Sequence, residues 1–292
     1  MKANNGNLKI AIQKKGRLTQ DTLELLKKMG LDFDPPKEKN RLFVNCRNFK
    51  LDILFIRDDD IPEYVEEGIC DLGIVGANIV EEEKAKVETV ENLGFGVCKL
   101  CLAVPKKGKI KKIADLKNKK IATSYPNILK KYLKSKNIKA KIVTLNGAVE
   151  ITPALDVSQA VFDLVSTGST LRSNGLEIIE TVFESEALLI KSPKIKSPAK
   201  KELVEKLMMR IQGILKAKNN KYVMMNAPKD ALPKIKQIIP GLKSPTVLPL
   251  AEEGMIAIHS VVPENVFWEV MEKLKKAGAS GILVVNIEKM IA

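Results

Sequence analysis

Short apolar runs that alternate with helical patterns constrain the fold of this chain more than any other feature. Residues 8–13, 51–56 and 70–76 are apolar runs of strand length, and each leads through a polar loop towards a helical pattern. This order is typical of an α/β domain with a largely parallel sheet. Ligands of such sheets bind beyond the carboxyl ends of the strands. The candidate binding loops therefore lie at residues 13–17, 57–60 and 76–78.

Capping residues predict where the first helices begin. Thr19 is expected to cap a helix over residues 20–29, and Pro62 opens a second helix. The acidic run Asp58–Asp60 precedes Pro62, so its carboxylates could cap that helix or reach a magnesium ion. Capping is the favoured interpretation, because Asp is common at helix N-termini.

The middle of the chain repeats the α/β pattern. We expect strands at 95–104 and 140–145, helices at 128–135 and 158–162, and a return strand at 182–190. The chain then divides into lobe I at 1–94 and 182–218, and lobe II at 95–181.

The remaining residues, 219–292, have a different order of elements. Their pattern predicts β-α-β-β-α-β, the ferredoxin-like split motif, after a long helix at 199–217. A module of this kind senses a small metabolite, forms oligomers, or does both.

Residues 163–171, Asp-Leu-Val-Ser-Thr-Gly-Ser-Thr-Leu, predict a strand that ends in a loop of small residues. Gly168 permits a sharp turn. The hydroxyls of Ser166, Thr167, Ser169 and Thr170 stand beside backbone N–H groups, an arrangement that binds phosphate. Asp163 lies where the hydroxyls of a phosphorylated sugar would reach it. Most loops of this kind bind nothing, so the stretch alone leaves phosphate binding open.

The positive charge of the chain is concentrated in one segment. The net charge is +14, and residues 106–141 hold fourteen lysines and one acid, Asp115. The segment has no arginine, the residue best suited to read bases and phosphates. A solvated face is the favoured interpretation, followed by steering of anionic substrates and then by nucleic-acid binding.

Cysteines and hydropathy indicate a cytoplasmic protein. Cys98 and Cys101 have metal-ligand spacing, but residues three apart on a strand point to opposite faces, so buried reduced thiols are expected. The sequence contains neither an apolar run long enough to span a membrane nor the apolar core of a signal peptide.

The sequence around the small-residue loop strongly resembles the signature of ATP phosphoribosyltransferases. The matching residues are Glu150, Ser158, Val161, Asp163, Leu164, Thr167, Gly168, Thr170 and Leu171. Further matches lie at residues 13–18, 57–62, 71–76, 121–126 and 145–150. The signature usually has glycine where Asp156 stands, and we expect Asp156 to cap the helix at 158 instead.

The resemblance implies a fold and an activity. The catalytic part would have two α/β lobes like those of periplasmic binding proteins, and residues 219–292 would be the ferredoxin-like regulatory domain of the long form. The family joins ATP to 5-phosphoribosyl-1-pyrophosphate (PRPP), with Mg²⁺, and releases pyrophosphate. It forms dimers and hexamers and is inhibited by histidine. Neither nucleic acid nor a membrane is an expected partner.

The resemblance and the chemistry together predict the role of each site residue. The catalytic residues would be Asp163, Glu150, Lys14 and Arg17, and the first two would also reach Mg²⁺. The PRPP site would be Asp163, Ser166, Thr167, Gly168, Ser169 and Thr170. The ATP site would be Lys14, Gly16, Arg17, Arg57 and Tyr125. Histidine would bind near Asn226, Leu242, Thr246 and Gly281.

Two of these assignments have a structural alternative. Tyr125 could equally be a turn residue before Pro126, and the histidine-site residues could be ordinary turn and packing residues. His259, the only histidine, is expected to be a strand residue rather than a ligand. Two rival functions also stay open, a non-catalytic two-lobed anion-binding protein and a nucleic-acid-binding regulator that uses the lysines of 106–141.

Overall fold

The computed structural model describes residues 6–36, 42–239 and 244–291, without the side chains of residues 266 and 267. The chain forms two compact units, Met1–Leu203 and Val204–Ala292. The strands of the first unit are β1 (Leu8–Gln13), β2 (Phe43–Asn45), β3 (Leu51–Ile56), β4 (Leu72–Gly76), β5 (Glu88–Asn92), β6 (Cys98–Pro105), β7 (Lys120–Thr123), β8 (Lys141–Thr144), β9 (Ala160–Val165), β10 (Leu176–Ser185) and β11 (Ala187–Lys191). Its helices are α1 (Thr19–Lys28), α2 (Ile61–Glu66), α3 (Ala77–Glu83), α4 (Pro126–Ser135) and α5 (Ser169–Ser173), and α6 (Pro198–Lys218) runs from the first unit into the second.

Lobe I is built on a six-stranded sheet of order β2-β3-β1-β4-β11-β5. Strands β3, β1 and β4 are parallel. Strand β2 pairs antiparallel with β3, β11 pairs antiparallel with β4, and β5 pairs antiparallel with β11. Leu8, Ile10 and Ile12 on one face of β1 and Ala11 on the other are fully buried, so this central strand is covered on both faces. The loops that follow β1 and β3 meet at one edge, because parallel strands end on the same side of a sheet.

Lobe II is built on a five-stranded sheet of order β10-β6-β9-β7-β8. Strand β9 is its middle strand, parallel to β7 and antiparallel to β6. Phe162 of β9 is fully buried among the apolar side chains of this sheet. The carboxyl ends of β7 and β9 are neighbours, so Tyr125 and the small-residue loop come to the same edge.

The structure differs from the sequence prediction where the chain returns to lobe I. The single return strand predicted at 182–190 is two strands, because β10 pairs with β6 as far as Ser185 and β11 pairs with β4 from Ala187. The polar residues Glu184, Ser185 and Glu186 lie at the crossing, but no Gly or Pro marks it.

The helix predicted at 158–162 is wrong, since residues 160–165 form strand β9. The run Ala-Val-Phe-Asp-Leu-Val is short and rich in β-branched and aromatic residues, and it pairs on both sides, so tertiary packing selects the strand. Asp156 therefore caps no helix there. Its φ is +55°, the left-handed region in which glycine is easiest and Asp is tolerated. The backbone at this position therefore suits glycine or a short polar residue.

The cap predicted at Thr19 is also wrong. Thr19 is the first residue of α1, and Leu18 holds the N-cap position without a side-chain hydrogen bond. The Thr19 hydroxyl donates to the carbonyl of Gln13 at 3.2 Å instead. This hydrogen bond helps to close the loop between β1 and α1, so the hydroxyl is not available to cap the helix.

The second unit has the predicted ferredoxin-like order. Its elements after α6 are β12 (Asn220–Pro228), α7 (Leu232–Ile238), β13 (Thr246–Pro249), β14 (Met255–Pro263), α8 (Glu264–Lys276) and β15 (Ser280–Asn286). The strands form an antiparallel sheet of order β13-β14-β12-β15. Val223, Met225, Ile235, Ile258 and Leu274 are buried between this sheet and its helices. No helix in the described residues is both long and apolar enough to cross a bilayer.

Candidate active site between the two lobes

The loop after β9 has the geometry that the sequence predicts for a phosphate-binding turn. Gly168 has a φ of +73°, and α5 begins at the next residue, Ser169. The Thr167 and Ser169 hydroxyls lie 3.0 Å apart, and both side chains are exposed. Ser166 and Thr170 are exposed as well. Four hydroxyls and the first N–H groups of α5 thus border one small surface of lobe II.

Arg172 is a residue of this loop that the sequence analysis missed. Its Nη2 donates to the carbonyl of Thr167 at 3.0 Å. A Cβ placed on Gly168 would lie 3.0 Å from Nη1 of the same guanidinium. Arg172 follows Gly168 by four residues, so helical spacing was the signal that could have found it.

Asp163 is half-buried and follows the three fully buried residues at the start of β9. Its Oδ1 accepts a hydrogen bond from Leu164 N at 2.8 Å. Burial raises the pKa of Asp163 to about 6, and the nearby negative charge of Glu150 raises it as well. The two carboxylates predicted to act together are therefore close enough to repel each other.

The loop of lobe I that follows β1 is shaped by Gln13. Its Oε1 accepts a hydrogen bond from Leu18 N at 3.0 Å, which closes the loop. Gly16 is required because a Cβ there would overlap the Gln13 amide, and its φ is +144°. Lys14 and Arg17 are presented by this closed loop. Gln13 was not identified from the sequence, since nothing local marks its side chain as a loop support.

Charged groups from both lobes converge on Tyr125. Burial raises the pKa of Tyr125, and the charges of Asp163, Asp58 and Asp59 raise it further, while Arg17 acts in the opposite direction. Asp163 belongs to lobe II, whereas the other three belong to lobe I. Tyr125 packs against the apolar cores of both lobes and also occupies the N-cap position of α4.

The helix-capping role predicted for Asp58–Asp60 is wrong. Asp60 stands at the N-cap position of α2, but its side chain makes no capping hydrogen bond. The pKa of Asp59 is raised by burial and by the charges of Asp58 and Asp60. Asp58 and Asp60 instead border a cavity of about 630 Å³. Lys14, Lys15, Arg57 and Tyr64 line the same cavity, which gathers three cations and two anions on lobe I.

The residues predicted for histidine lie at two places in the sheet of the second unit. Asn226 and Gly281 are adjacent, because a Cβ on Gly281 would be 3.6 Å from Asn226 Nδ2. Thr246 pairs with His259 across β13 and β14. His259 is a strand residue, as expected, and its Nδ1 is 3.0 Å from the Tyr222 hydroxyl. Leu242 lies outside the described residues.

The other sequence predictions concern surface charge and cysteines. All fourteen lysines of residues 106–141 are exposed, and two of them, Lys111 and Lys131, form ion pairs with Glu177 and Glu81. A solvated face, the steering of anions and nucleic-acid binding all require exposed lysines, so the three interpretations stay predictions. The four cysteines are buried, and burial raises the pKa of Cys70 to about 12, so this thiol stays protonated.

Comparisons with known proteins agree along the chain. The family model "HisG: ATP phosphoribosyltransferase" matches residues 57–213, and "HisG, C-terminal domain" matches residues 217–289. A protein of Cytophaga hutchinsonii named ATP phosphoribosyltransferase is 47% identical over 284 residues, which cover 97% of this chain and 98% of that protein. One of Bacteroides thetaiotaomicron, with the same name, is 47% identical over 97% of this chain and 99% of its own.

Solved structures support the same fold. The "ATP phosphoribosyl transferase (HisG:HisZ) complex from Thermotoga maritima" aligns with a TM-score of 0.60 and 28% identity, over 70% of this chain and 98% of that chain. A histidine kinase sensor domain with similarity to periplasmic binding proteins aligns with a TM-score of 0.50 and 10% identity, over 73% of this chain and 91% of its own. This second likeness concerns the fold alone.

Proposed function

Since this chain belongs to the ATP phosphoribosyltransferase family, the pentosyltransferases of the first step of histidine biosynthesis, we propose that its interlobe cleft joins adenine N1 of ATP to C1 of PRPP. The observation that carries the proposal is the turn at Gly168 beside Asp163, at the edge of lobe II that meets the charged loops of lobe I. Pyrophosphate leaves as N1-(5-phosphoribosyl)-ATP forms.

Lobe II would hold the sugar. The 5′-phosphate of PRPP fits the turn of Ser166, Thr167, Gly168, Ser169 and Thr170, where hydroxyls and the N–H groups of α5 are exposed. Asp163 stands a few residues before the turn, so it would accept hydrogen bonds from the ribose hydroxyls. In this arrangement C1 of the ribose would face lobe I.

Lobe I would hold the nucleotide and the leaving group. Lys14 and Arg57 line the cavity of about 630 Å³, and they would pair with phosphate oxygens there. Arg17 acts on Tyr125 from the same side of the cleft. Gly16 keeps the loop closed so that Lys14 and Arg17 stay in place.

The residues of the cleft suit a reaction that needs no strong base. Adenine N1 is a neutral nucleophile, and pyrophosphate departs as a stable anion. Catalysis would therefore come from positioning and from electrostatic stabilisation of an oxocarbenium-like ribose. The carboxylate of Asp163 would stabilise positive charge that develops on the sugar.

The donor set near Asp163 fits a divalent cation that arrives with PRPP. No group of three or more His, Cys, Asp or Glu residues in the described parts of the chain could hold a metal by itself. Asp163 and Glu150, however, repel each other and would be relieved by a cation between them. We propose that these two residues would help to hold Mg²⁺, which would supply positive charge to neutralise the departing pyrophosphate.

The assay that tests the function uses the full chain with ATP, PRPP and Mg²⁺. Pyrophosphate release and the near-ultraviolet absorbance of the adduct should rise together, and omission of either substrate should abolish both signals. PRPP that binds without any turnover would instead indicate the non-catalytic two-lobed binding protein. Binding to duplex DNA with a steep salt dependence, without turnover, would favour the nucleic-acid-binding regulator.

We also propose that the second unit binds histidine as a feedback inhibitor and that the enzyme is a cytoplasmic homo-oligomer. The ferredoxin-like fold and the adjacency of Asn226 and Gly281 support an amino-acid site at this end of the sheet.

Substitution Asn226→Ala is expected to raise the histidine concentration for half-inhibition by about 10-fold or more, since one to two hydrogen bonds to a charged ligand are lost. Turnover without histidine should not change. The matched control is Asn286→Ala, an amide at the opposite end of β15. Equal sensitivity of both variants and the wild type to histidine would refute the assignment of this site.

A further inference from the structure

The first N–H groups of α4 in lobe II are occupied by a carboxylate from lobe I. Glu82 of α3 is only 5% exposed. Its Oε1 accepts from Asn127 N at 2.8 Å and its Oε2 accepts from Ile128 N at 2.9 Å. A carboxylate that bridges two N–H groups at a helix start is a strong, charge-assisted contact. Because the partners are on different lobes, the contact ties the lobes together.

Weaker contacts surround this buried bridge. The Asn127 side chain donates to the carbonyl of Glu82 at 3.0 Å and accepts from Lys84 Nζ at 2.9 Å. Glu81 forms an ion pair with Lys131 at 2.6 Å, but the lysine side chain is 76% exposed. An exposed pair of this kind contributes little. The buried carboxylate of Glu82 is therefore the main polar tie between α3 and α4.

The same two helices carry groups of the cleft. Tyr125 immediately precedes α4, and its hydroxyl is 3.4 Å from Nδ2 of Asn78 in α3. Asn78 also exchanges hydrogen bonds with Ser185, the last residue before the chain returns to lobe I. The tie at Glu82 thus sets the distance between Tyr125 and the loops of lobe I.

We propose that Glu82 is a positioning residue, which holds lobe II against lobe I so that the ribose C1 faces adenine N1. This inference rests on the proposed function. The groups assigned to PRPP, Asp163 to Thr170, all lie on lobe II, so PRPP binding does not need Glu82. Bond formation between C1 and N1 needs both lobes at once, so catalysis does need Glu82.

The test compares Glu82→Gln with Glu81→Gln in the full chain. The substituted amide has one acceptor oxygen, and its NH₂ group would face the second N–H donor of α4. We expect kcat to fall by at least about 10-fold, because misplacement by about 1 Å costs up to about 100-fold. The Kd for PRPP, measured by calorimetry, should stay within about twofold. Glu81→Gln makes the same change one residue earlier and should alter neither value.

Two further measurements separate positioning from folding. Hydrogen exchange of the N–H groups of residues 127 and 128 should speed up in Glu82→Gln, while that of residues 166–170 should not. Asn127→Ala removes only the side-chain contacts of Asn127, including the bond to the Glu82 carbonyl, and should lower kcat less, in the same direction. This variant carries the test if Glu82→Gln does not fold.

Distinct results would overturn the inference or the proposed function. Wild-type kcat in Glu82→Gln, or a loss of PRPP affinity that equals the loss of kcat, would refute positioning. If Glu82→Gln does not fold, unchanged kcat in Asn127→Ala would refute it. No turnover in the wild type would refute the proposed function instead, since that assay does not depend on the variants.

Discussion

Substitution of Gly168 by valine is expected to lower kcat/KM for PRPP by at least about 100-fold. Gly168 has a φ of +73°, a conformation that costs L-residues about 1–2 kcal/mol and β-branched residues more. Its Cβ would also approach the Arg172 guanidinium, which holds the carbonyl of Thr167. The turn would change shape, and each charge-assisted hydrogen bond to phosphate that is lost costs about 1.5–3 kcal/mol.

The matched control is Gly175→Val. Gly175 has a φ of +68°, and no atom lies within 4 Å of the Cβ position. The backbone strain is therefore similar, but the position follows α5 and lies outside the turn. In denaturant titrations, the free energy of unfolding should fall by a similar amount in both variants. Only Gly168→Val should lose kcat/KM for PRPP. Equal kcat/KM in the two variants would show that the turn is not part of the PRPP site.

Asp163→Asn should lower kcat/KM by at least about 100-fold and yet stabilise the protein at neutral pH. The loss of activity follows from removing the charge that faces the sugar, since charged hydrogen bonds contribute about 1.5–3 kcal/mol each. The gain in stability follows from the raised pKa of about 6. Ionising a carboxyl in this partly buried place costs free energy that asparagine does not incur.

The sign of the pH dependence is fixed by the direction of that pKa shift. The folded protein holds the Asp163 proton more tightly than the unfolded chain, so this group lowers stability as the pH rises from about 4 to about 6. In metal-free buffer at pH ~7.5, the free energy of unfolding of Asp163→Asn should exceed that of the wild type by about 2–3 kcal/mol. At pH ~3 most of this difference should vanish, because the carboxyl is then largely neutral in both states.

Asp156→Asn provides the control for this charge change. Asp156 is an exposed acid of the same lobe, and its left-handed backbone suits asparagine as well. Neither the turnover nor the free energy of unfolding of Asp156→Asn should differ from the wild type. If Asp163→Asn lost stability together with activity, Asp163 would support the fold of β9 instead of serving the sugar.

Local patterns were sufficient where the outcome depends on neighbours in the chain. The first strand, the ferredoxin-like order of the second unit and the turn at Gly168 all follow from periodicity or from glycine. Helix capping was less well predicted. In the folded loops the Thr19 hydroxyl donates to the carbonyl of Gln13, and the Asp60 side chain makes no capping hydrogen bond. Strand β9 was mistaken in part for a helix because its short apolar run suits both, and only its two neighbouring strands select the extended form.

The amino-acid sequence by itself determined the α/β character of this protein, the turn at Gly168 and its family, since these depend on residue types at short spacing. Tertiary structure alone decided what supports the site: Gln13 inside its loop, Arg172 on the Thr167 carbonyl, and Glu82 on the start of a helix 45 residues later. The contacts of Gln13 and Arg172 join residues five apart in the chain, but only the folded loops show which atoms pair. The contact of Glu82 is set by how the two lobes lie in space, and no spacing along the chain encodes it.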